Sequence, residues 1–211
     1  MKMSNSEIRA RAREALGSSI FGRNWMMAIL SAIIVGGVIG LANSISWGIA
    51  TYLLIGPLYV GLHRVFLNIA RGNSPEIENN FEGCHNFGSN LVLGLMMNIL
   101  ITLWSLLFVI PGIIKSYAYS IAYFVKCDNP ELGWRECLDR SEAMMKGNKW
   151  RLFCLQFSFI GWSILGALVC GVGILWVNAY MSTANAVFYE ELKREQGIYV
   201  PTCTEEATVT E

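Results

Sequence analysis

Charged side chains are scarce in this chain, and nothing in their balance points to a nucleic-acid partner. Asp, Glu, Lys and Arg make up 15% of the 211 residues, against about 25% in ordinary soluble domains. Sixteen basic residues are matched by sixteen acidic ones, whereas a domain that binds nucleic acid is clearly basic. The composition therefore argues against nucleic acid as a partner and favours an environment that is poor in water.

Motifs that hold metals or build catalytic sites are missing as well. The six cysteines form no CxxC pair and no histidine lies at ligand spacing from them, so we expect free thiols and no zinc site. No HExxH, P-loop or GxSxG motif occurs. We therefore predict that the protein is not an enzyme, and we assign it no catalytic, cofactor-binding or metal-binding residue.

The longest apolar run is residues 91–110, with the sequence LVLGLMMNILITLWSLLFVI and no charged side chain. A helix of this length, at about 1.5 Å rise per residue, spans roughly the 30 Å hydrocarbon core of a bilayer. The run is therefore predicted to be a membrane-spanning helix that ends at Pro111-Gly112.

Six apolar segments in all predict an all-α fold, a polytopic transmembrane helix bundle built from three hairpins. The predicted spans are residues 25–43, 45–67, 91–110, 112–127, 152–170 and 172–189. None contains Asp or Glu, and the basic side chains considered there are His63, Arg64 and Lys115. Proton relays and intramembrane metal sites need buried carboxylates or histidines. Residues 113–126 are short enough to be re-entrant instead of crossing.

Short amphipathic segments beside the spans are predicted to be interfacial helices, at residues 4–20, 75–83 and 130–146. Ser4 and Glu7 have the spacing of a capping box. In the last segment, an arc of the helix free of charge contains Trp134, Cys137, Leu138, Ser141, Met144 and Met145. We expect these helices to lie at the membrane surface, and the last of them could instead dock on the bundle or in the groove of a soluble partner.

The distribution of positive charge predicts the orientation. If all six segments cross, both termini and the long connections 68–90 and 127–151 share one side, where all sixteen Lys and Arg except Lys115 fall. The positive-inside rule makes this side cytoplasmic. We therefore predict a multi-pass cell-membrane protein with one transmembrane domain, residues 1–190, and a disordered acidic cytoplasmic tail, residues 191–211.

Small residues recur every four positions in the first span, at Ala32, Gly36 and Gly40. Such a face lets another helix approach closely within a membrane. It fits packing inside the protein's own bundle, or association with a second copy or another membrane protein. The lipid bilayer is the remaining expected partner.

A more specific pattern covers residues 104–162. It consists of Phe108-Val-Ile-Pro111-Gly112-Ile-Ile-Lys115-Ser-Tyr117-Ala-Tyr119-Ser120, Asp128-Asn129-Pro130, Met144-Met145-Lys146-Gly147-Asn148-Lys149-Trp150 and Ser158-Phe159-Ile160-Gly161-Trp162. These residues resemble the Domain of Unknown Function 975 family, bacterial integral membrane proteins found mostly in Firmicutes, and the resemblance extends over nearly the whole chain. It departs at Asn178-Ala179-Tyr180, where the family often has a proline before the tyrosine. The resemblance implies a polytopic membrane protein without established activity.

Three functions from different classes are weighed. A non-enzymatic scaffold, accessory or envelope-stress protein would act through its cytoplasmic surface helices, which suit an anionic leaflet. A transporter or permease for a small solute or lipid would use helix interruptions at Gly56-Pro57 and Pro111-Gly112. An enzyme would need a cluster such as Asp128, Glu131 and His85, which look like caps and surface groups. We expect the first of these functions.

Overall fold

The computed structural model of this chain is all-helical in the residues it describes, which are 3–17, 22–46, 49–80, 82–84, 86–168 and 173–197. The helices are α1 (Asn5–Leu16), α2 (Arg23–Ser46), α3 (Ile49–Ala70), α4 (Phe87–Leu107), α5 (Val109–Tyr119), α6 (Ala122–Asp128), α7 (Trp134–Met145), α8 (Lys149–Leu168) and α9 (Gly173–Glu195). The all-α prediction is confirmed, and five of the six predicted spans coincide with α2, α3, α4, α8 and α9.

The segment predicted as a span at 112–127 is two helices in the structure, and Pro111-Gly112 does not end a helix. The break lies at Phe108, whose extended backbone separates α4 from α5. Pro111 falls in the first turn of α5, where a missing N–H costs nothing because first-turn N–H groups lack helical partners. A turn at Ser120 and Ile121 then separates α5 from α6.

The helix α1 begins with the predicted capping box, because Ser4 caps the Glu7 backbone and the Glu7 carboxylate accepts from the Ser4 N–H. Its apolar face, however, is not free to lie on lipid. Ile8, Ala12 and Leu16 are buried where α1 packs against α9 and α3. The interfacial placement predicted for residues 4–20 therefore gives way to docking on the protein.

The predicted charge-free arc of α7 is confirmed as its buried face, which packs against α4, α5 and α6. The helix begins at Trp134 after Gly133, not at residue 130. The reason lies in Lys126, whose ammonium donates to the carbonyls of Pro130 and Leu132. These hydrogen bonds hold the connection before α7 in a non-helical turn.

The predicted helix 75–83 is replaced by two 3-10 turns, Ile77–Asn80 and Glu82–Cys84. This connection runs against the backbone of α3, and a Cβ on Gly61 would collide with the carbonyl of Asn80. This close approach between the Asn80 backbone and Gly61 holds the connection against α3, where it forms 3-10 turns and not a regular α-helix. Phe81 and His85 lie outside the described residues.

The last helix continues to Glu195, beyond the boundary expected at residue 190, because Glu191 and Leu192 pack into the protein. The predicted tail from residue 198 to the C-terminus lies outside the described residues. Cys127, Cys137 and Cys154 are free thiols, as predicted. Cys170 and Cys203 lie outside the described residues.

Two described stretches, Arg23–Leu41 and Phe87–Leu107, are long and apolar enough to cross a membrane by length and composition. Only 28% of the apolar window in the first stretch and 17% of that in the second is buried within the protein. The core helix of a soluble protein, by contrast, is mostly buried. This exposure is consistent with membrane association. Most of the buried core lies where α3, α6 and α9 meet α1, α7 and α8, and the two stretches add only a few residues to it, among them Trp25, Ala28, Ile29 and Leu93.

Candidate functional site: an ionic clamp at three helix ends

Among the described residues, a group of charged and hydrogen-bonding side chains joins three helices that are far apart in the sequence. We call it the ionic clamp, and its members are Arg71, Asp128, Tyr189, Glu190 and Lys193. Arg71 follows directly after α3, Asp128 is the last residue of α6, and the other three belong to the final turns of α9. The clamp therefore fixes the same end of all three helices.

Asp128 is the centre of the ionic clamp. Its carboxylate accepts hydrogen bonds from Arg71 Nη2 at 2.7 and 2.9 Å, from Lys193 Nζ at 2.7 Å and from the Tyr189 hydroxyl at 3.0 Å. Arg71 also donates to Glu190 Oε1, from Nε at 3.0 Å and from Nη2 at 2.7 Å. Two cations thus neutralise two carboxylates, and charge-assisted bonds of this length are the strong kind.

Burial and charge act in opposite directions on the Asp128 carboxyl. Burial alone would raise its pKa, but the hydrogen bond from Lys193 and the charge of Arg71 outweigh it and hold the pKa below its ordinary value. Burial likewise would lower the pKa of Arg71, and the charges of Asp128 and Glu190 raise it. Asp128 therefore stays ionised, which suits a structural ion pair and not a general base.

A second buried cation lies close to the ionic clamp in the sequence. Lys126 donates all three of its hydrogen bonds at 2.7 Å, to the Ser89 hydroxyl and to the carbonyls of Pro130 and Leu132. Its ammonium is buried and its three donors are all used. It joins the start of α4 to the connection between α6 and α7.

A third polar contact brings the two ends of the described chain together. Arg151, at the start of α8, donates to Glu195 at 2.6 Å and to the carbonyl of Met3 at 2.7 Å. The Met3 N–H donates to Glu191 at 3.2 Å. The residues before α1 and the end of α9 are therefore neighbours.

Residues that the sequence brought forward as candidates do not form a common site. Arg64 pairs with Glu82 at 2.7 Å, and His63 bonds the Tyr59 carbonyl at 2.7 Å among the rings of Tyr59, Tyr123 and Phe124. Of the enzyme cluster considered above, Asp128 belongs to the ionic clamp, Glu131 is exposed, and His85 lies outside the described residues.

The small-residue face of α2 is open in the structure. Within the part of the chain that the structure describes, a Cβ added to Gly36 or Gly40 would meet no atom within 4 Å. Packing inside the protein's own bundle therefore does not account for these glycines. Close helix contact is found instead at Gly56 and Gly94, where α3 and α4 cross, and at Gly166 and Gly173, where α8 meets α9.

Sequence reasoning missed the ionic clamp. The only signal available was that Arg71, Asp128 and Glu190 each stand just beyond an apolar segment on the side that carries the positive charge. That signal places the three residues at the same depth relative to a membrane, but it does not predict which side chains contact each other. Their pairing depends on how α3, α6 and α9 pack, which hydropathy does not encode.

Comparison with known proteins identifies one family. The model of a family described as protein of unknown function (DUF975) matches residues 1–115 and 106–196. No curated protein matches the chain. No solved structure matches it either.

Proposed function

Because the chain belongs to the DUF975 family, whose function is unknown, we propose its role from the geometry described above. The protein is a multi-pass integral membrane protein of the cell membrane. It has no enzymatic activity and serves as a scaffold or accessory protein for other membrane components.

The observation that carries the membrane proposal is the exposure of large apolar side chains along the hairpins. The most exposed are Leu41, Leu103, Leu106, Leu107, Phe108, Ile110, Trp150, Phe157, Trp162 and Ile164. Water would solvate such surfaces at a cost of roughly 25 cal/mol per Å², and soluble monomers rarely expose large apolar patches. Lipid acyl chains remove that cost.

The finer layout in this proposal has six apolar segments entering the bilayer and both chain ends on the cytoplasmic side. The contact of Met3 with Glu191 supports a common side for the two ends. Lys115, the single cation that the sequence placed on the opposite side, pairs with Glu142 of α7. In this proposal, Lys115 also lies on the cytoplasmic side, in agreement with the positive-inside rule.

The scaffold proposal rests on the outward face of α7. Because the apolar face of α7 is buried, a partner would meet its exposed polar side, which carries Arg135, Glu136, Asp139, Arg140 and Lys146. The ionic clamp supports a passive role, since its charges compensate each other and Asp128 is held ionised. Continuation of α3 through Pro57 removes one of the two motives for transport.

Purification from native membranes after cross-linking tests the scaffold role. The wild-type protein and an Arg11→Glu/Arg13→Glu variant, altered on α1, should retain the same membrane proteins. An Arg135→Glu/Arg140→Glu variant should lose them, because its α7 face has the wrong charge. Equal retention by all three proteins, or solute uptake by proteoliposomes above lipid-only vesicles, would reject the scaffold proposal.

The open face of α2 adds a self-association proposal. Gly36 and Gly40, with Ala32 on the same face, would let two copies of α2 approach closely in lipid. In liposomes, photobleaching steps should show dimers for the wild type and monomers for Gly36→Ile/Gly40→Ile. Dimers of both proteins would contradict this seam.

A further inference from the structure

Most of the exposed large apolar side chains of the α4 and α5 hairpin lie near its turn, with Phe87 and Ile99 exposed further back on α4. We call residues 103–114 the hairpin tip. Its exposed members are Leu103, Trp104, Leu106, Leu107, Phe108, Ile110, Ile113 and Ile114. The two helices touch inside the tip, since a Cβ on Gly112 would lie 2.7 Å from the Ser105 Cα.

The backbone at the turn of the hairpin tip is suited to an environment without water. The Phe108 N–H donates to the Trp104 carbonyl at 3.0 Å, and the Phe108 carbonyl accepts from the Gly112 N–H at 3.2 Å. Pro111 has no N–H to satisfy. These two hydrogen bonds and the proline reduce the number of backbone polar groups at the turn that would need a partner in hydrocarbon.

A charged pair lies at the base of the hairpin tip, on the side of the protein core. Lys115 Nζ donates to both carboxylate oxygens of Glu142, at 2.7 and 2.8 Å. The same ammonium lies 5.9 Å from the Trp104 ring and 5.5 Å from the Tyr119 ring. Lysine with tryptophan and tyrosine is the combination that anchors segments at the level of lipid headgroups.

The exposed charges of α7 support a placement of this level outside the hydrocarbon. The Ser141 hydroxyl donates to the Ala118 carbonyl at 2.7 Å, which fixes α7 beside the last turn of α5. Its outward face carries Arg135, Asp139 and Arg140, all exposed. Each such charge costs about 2.5–3.5 kcal/mol at the centre of a membrane, so α7 must lie in water or among headgroups.

The chain between the turn of the hairpin and the Lys115–Glu142 pair is too short to cross a membrane. From Val109 to Lys115 a helix rises about 9 Å, whereas half of the hydrocarbon core is already about 15 Å thick. On the other side of the charged pair, α6 is buried in the protein core from Ala122 to Cys127. The first half of α4 is covered at Asn90, Leu93 and Gly94, where it crosses α3.

We propose that the hairpin of α4 and α5 is re-entrant: it enters the bilayer from the cytoplasmic side, places the hairpin tip among the acyl chains of the nearer leaflet, and returns to the same side. The ligand of this surface is the acyl region of one leaflet. The inference rests on the proposed membrane function and refines it, because α2, α3, α8 and α9 cross while α4 and α5 do not. Because such a hairpin enters from one side only, it increases the area of the cytoplasmic leaflet and not that of the opposite leaflet.

Labelling of single introduced cysteines with a membrane-impermeant maleimide tests this inference. Right-side-out and inside-out vesicles are treated separately, and modification is measured by peptide mass spectrometry at the introduced position, so native cysteines do not interfere. The test variant is Ile110→Cys, and Leu106→Cys, at the most exposed position of the hairpin tip, is the second. Ile174→Cys marks the far end of the hairpin of α8 and α9, and Arg135→Cys marks the cytoplasmic face of α7.

Residue 110 should resist the reagent in both kinds of sealed vesicle and react after detergent is added. Residue 174 should react only from outside and residue 135 only from inside. Reaction of both hairpin-tip variants from outside would show a full crossing and overturn the inference, as would resistance of both after detergent. Reaction of residue 174 from the inside would instead contradict the multi-pass proposal, whatever residue 110 does.

Discussion

At the scale of single residues, Asp128 is the position on which the arrangement of helices depends most. It receives Arg71, Lys193 and Tyr189, and so binds the ends of α3 and α9 to the end of α6. A carboxylate at the C-terminus of a helix is unfavourable with respect to the helix dipole. The two cations offset that cost, and removing the carboxylate leaves Glu190 as the one carboxylate of the ionic clamp that pairs with both of them.

We predict that Asp128→Asn lowers the free energy of unfolding by about 2–4 kcal/mol, because two mostly buried cations then share the single carboxylate of Glu190 and one positive charge is left uncompensated. The measurement is thermal unfolding of the purified protein in detergent. Asp139→Asn, which changes an exposed carboxylate of α7, serves as the control and should shift stability by less than about 0.5 kcal/mol. Equal melting temperatures for the two variants would refute the role given to Asp128.

The depressed pKa of Asp128 also predicts the direction of a pH dependence. A carboxyl whose pKa is lower in the folded than in the unfolded state contributes stability above the unfolded pKa. That contribution is lost as the pH falls through the folded pKa. The wild type should therefore lose stability relative to Asp128→Asn only below about pH 4, and a stability gap between them that stays constant from pH 7 to pH 2 would contradict the assignment.

At the scale of helices, the crossing of α3 and α4 depends on two glycines. A Cβ on Gly94 would lie 2.6 Å from the Gly56 Cα, a contact with backbone that no side-chain rotation can relieve. Gly88 belongs to the same helix α4, and a Cβ there would meet no atom within 4 Å. The two positions therefore separate the effect of close packing from that of helix propensity.

We expect Gly94→Ala to destabilise the protein by about 1–3 kcal/mol, as overpacking does. Gly88→Ala should leave stability unchanged or raise it by about 0.5–1 kcal/mol, because alanine loses less conformational freedom in a helix. Thermal unfolding of both variants in the same detergent makes the comparison. The same effect for both substitutions would show that α3 and α4 do not touch at Gly94.

A helix could be predicted from the sequence where its own residues show a hydropathy pattern. Helix bounds that depend on contacts with other helices could not be predicted in this way. The buried face of α7 follows from the spacing of Cys137, Leu138 and Ser141, and hydropathy alone located α4. The division of 112–127 into α5 and α6 depends on the docking of α7, through Ser141 and the Ala118 carbonyl. Such a contact joins residues that no local pattern links, and the same holds for the ionic clamp.

At the scale of the whole molecule, polar clamps and exposed apolar surface occupy different parts of the hairpins. Polar contacts join the helix ends at the bases of the hairpins. They are made by the ionic clamp, by Lys126 and by Arg151, which lies beside both ends of the described chain. The turn between α4 and α5 and the later part of α8 expose apolar side chains instead. This separation is the one expected of a protein whose hairpins enter lipid while their bases stay in water.

The most direct test of the central claim is extraction of membranes from cells that express the chain. Membranes are washed at alkaline pH, which strips peripheral proteins, and the pellet and supernatant are compared by immunoblotting. The account predicts that the protein stays entirely in the pellet and is released only by detergent. Release into the wash as a monodisperse protein without detergent would contradict it.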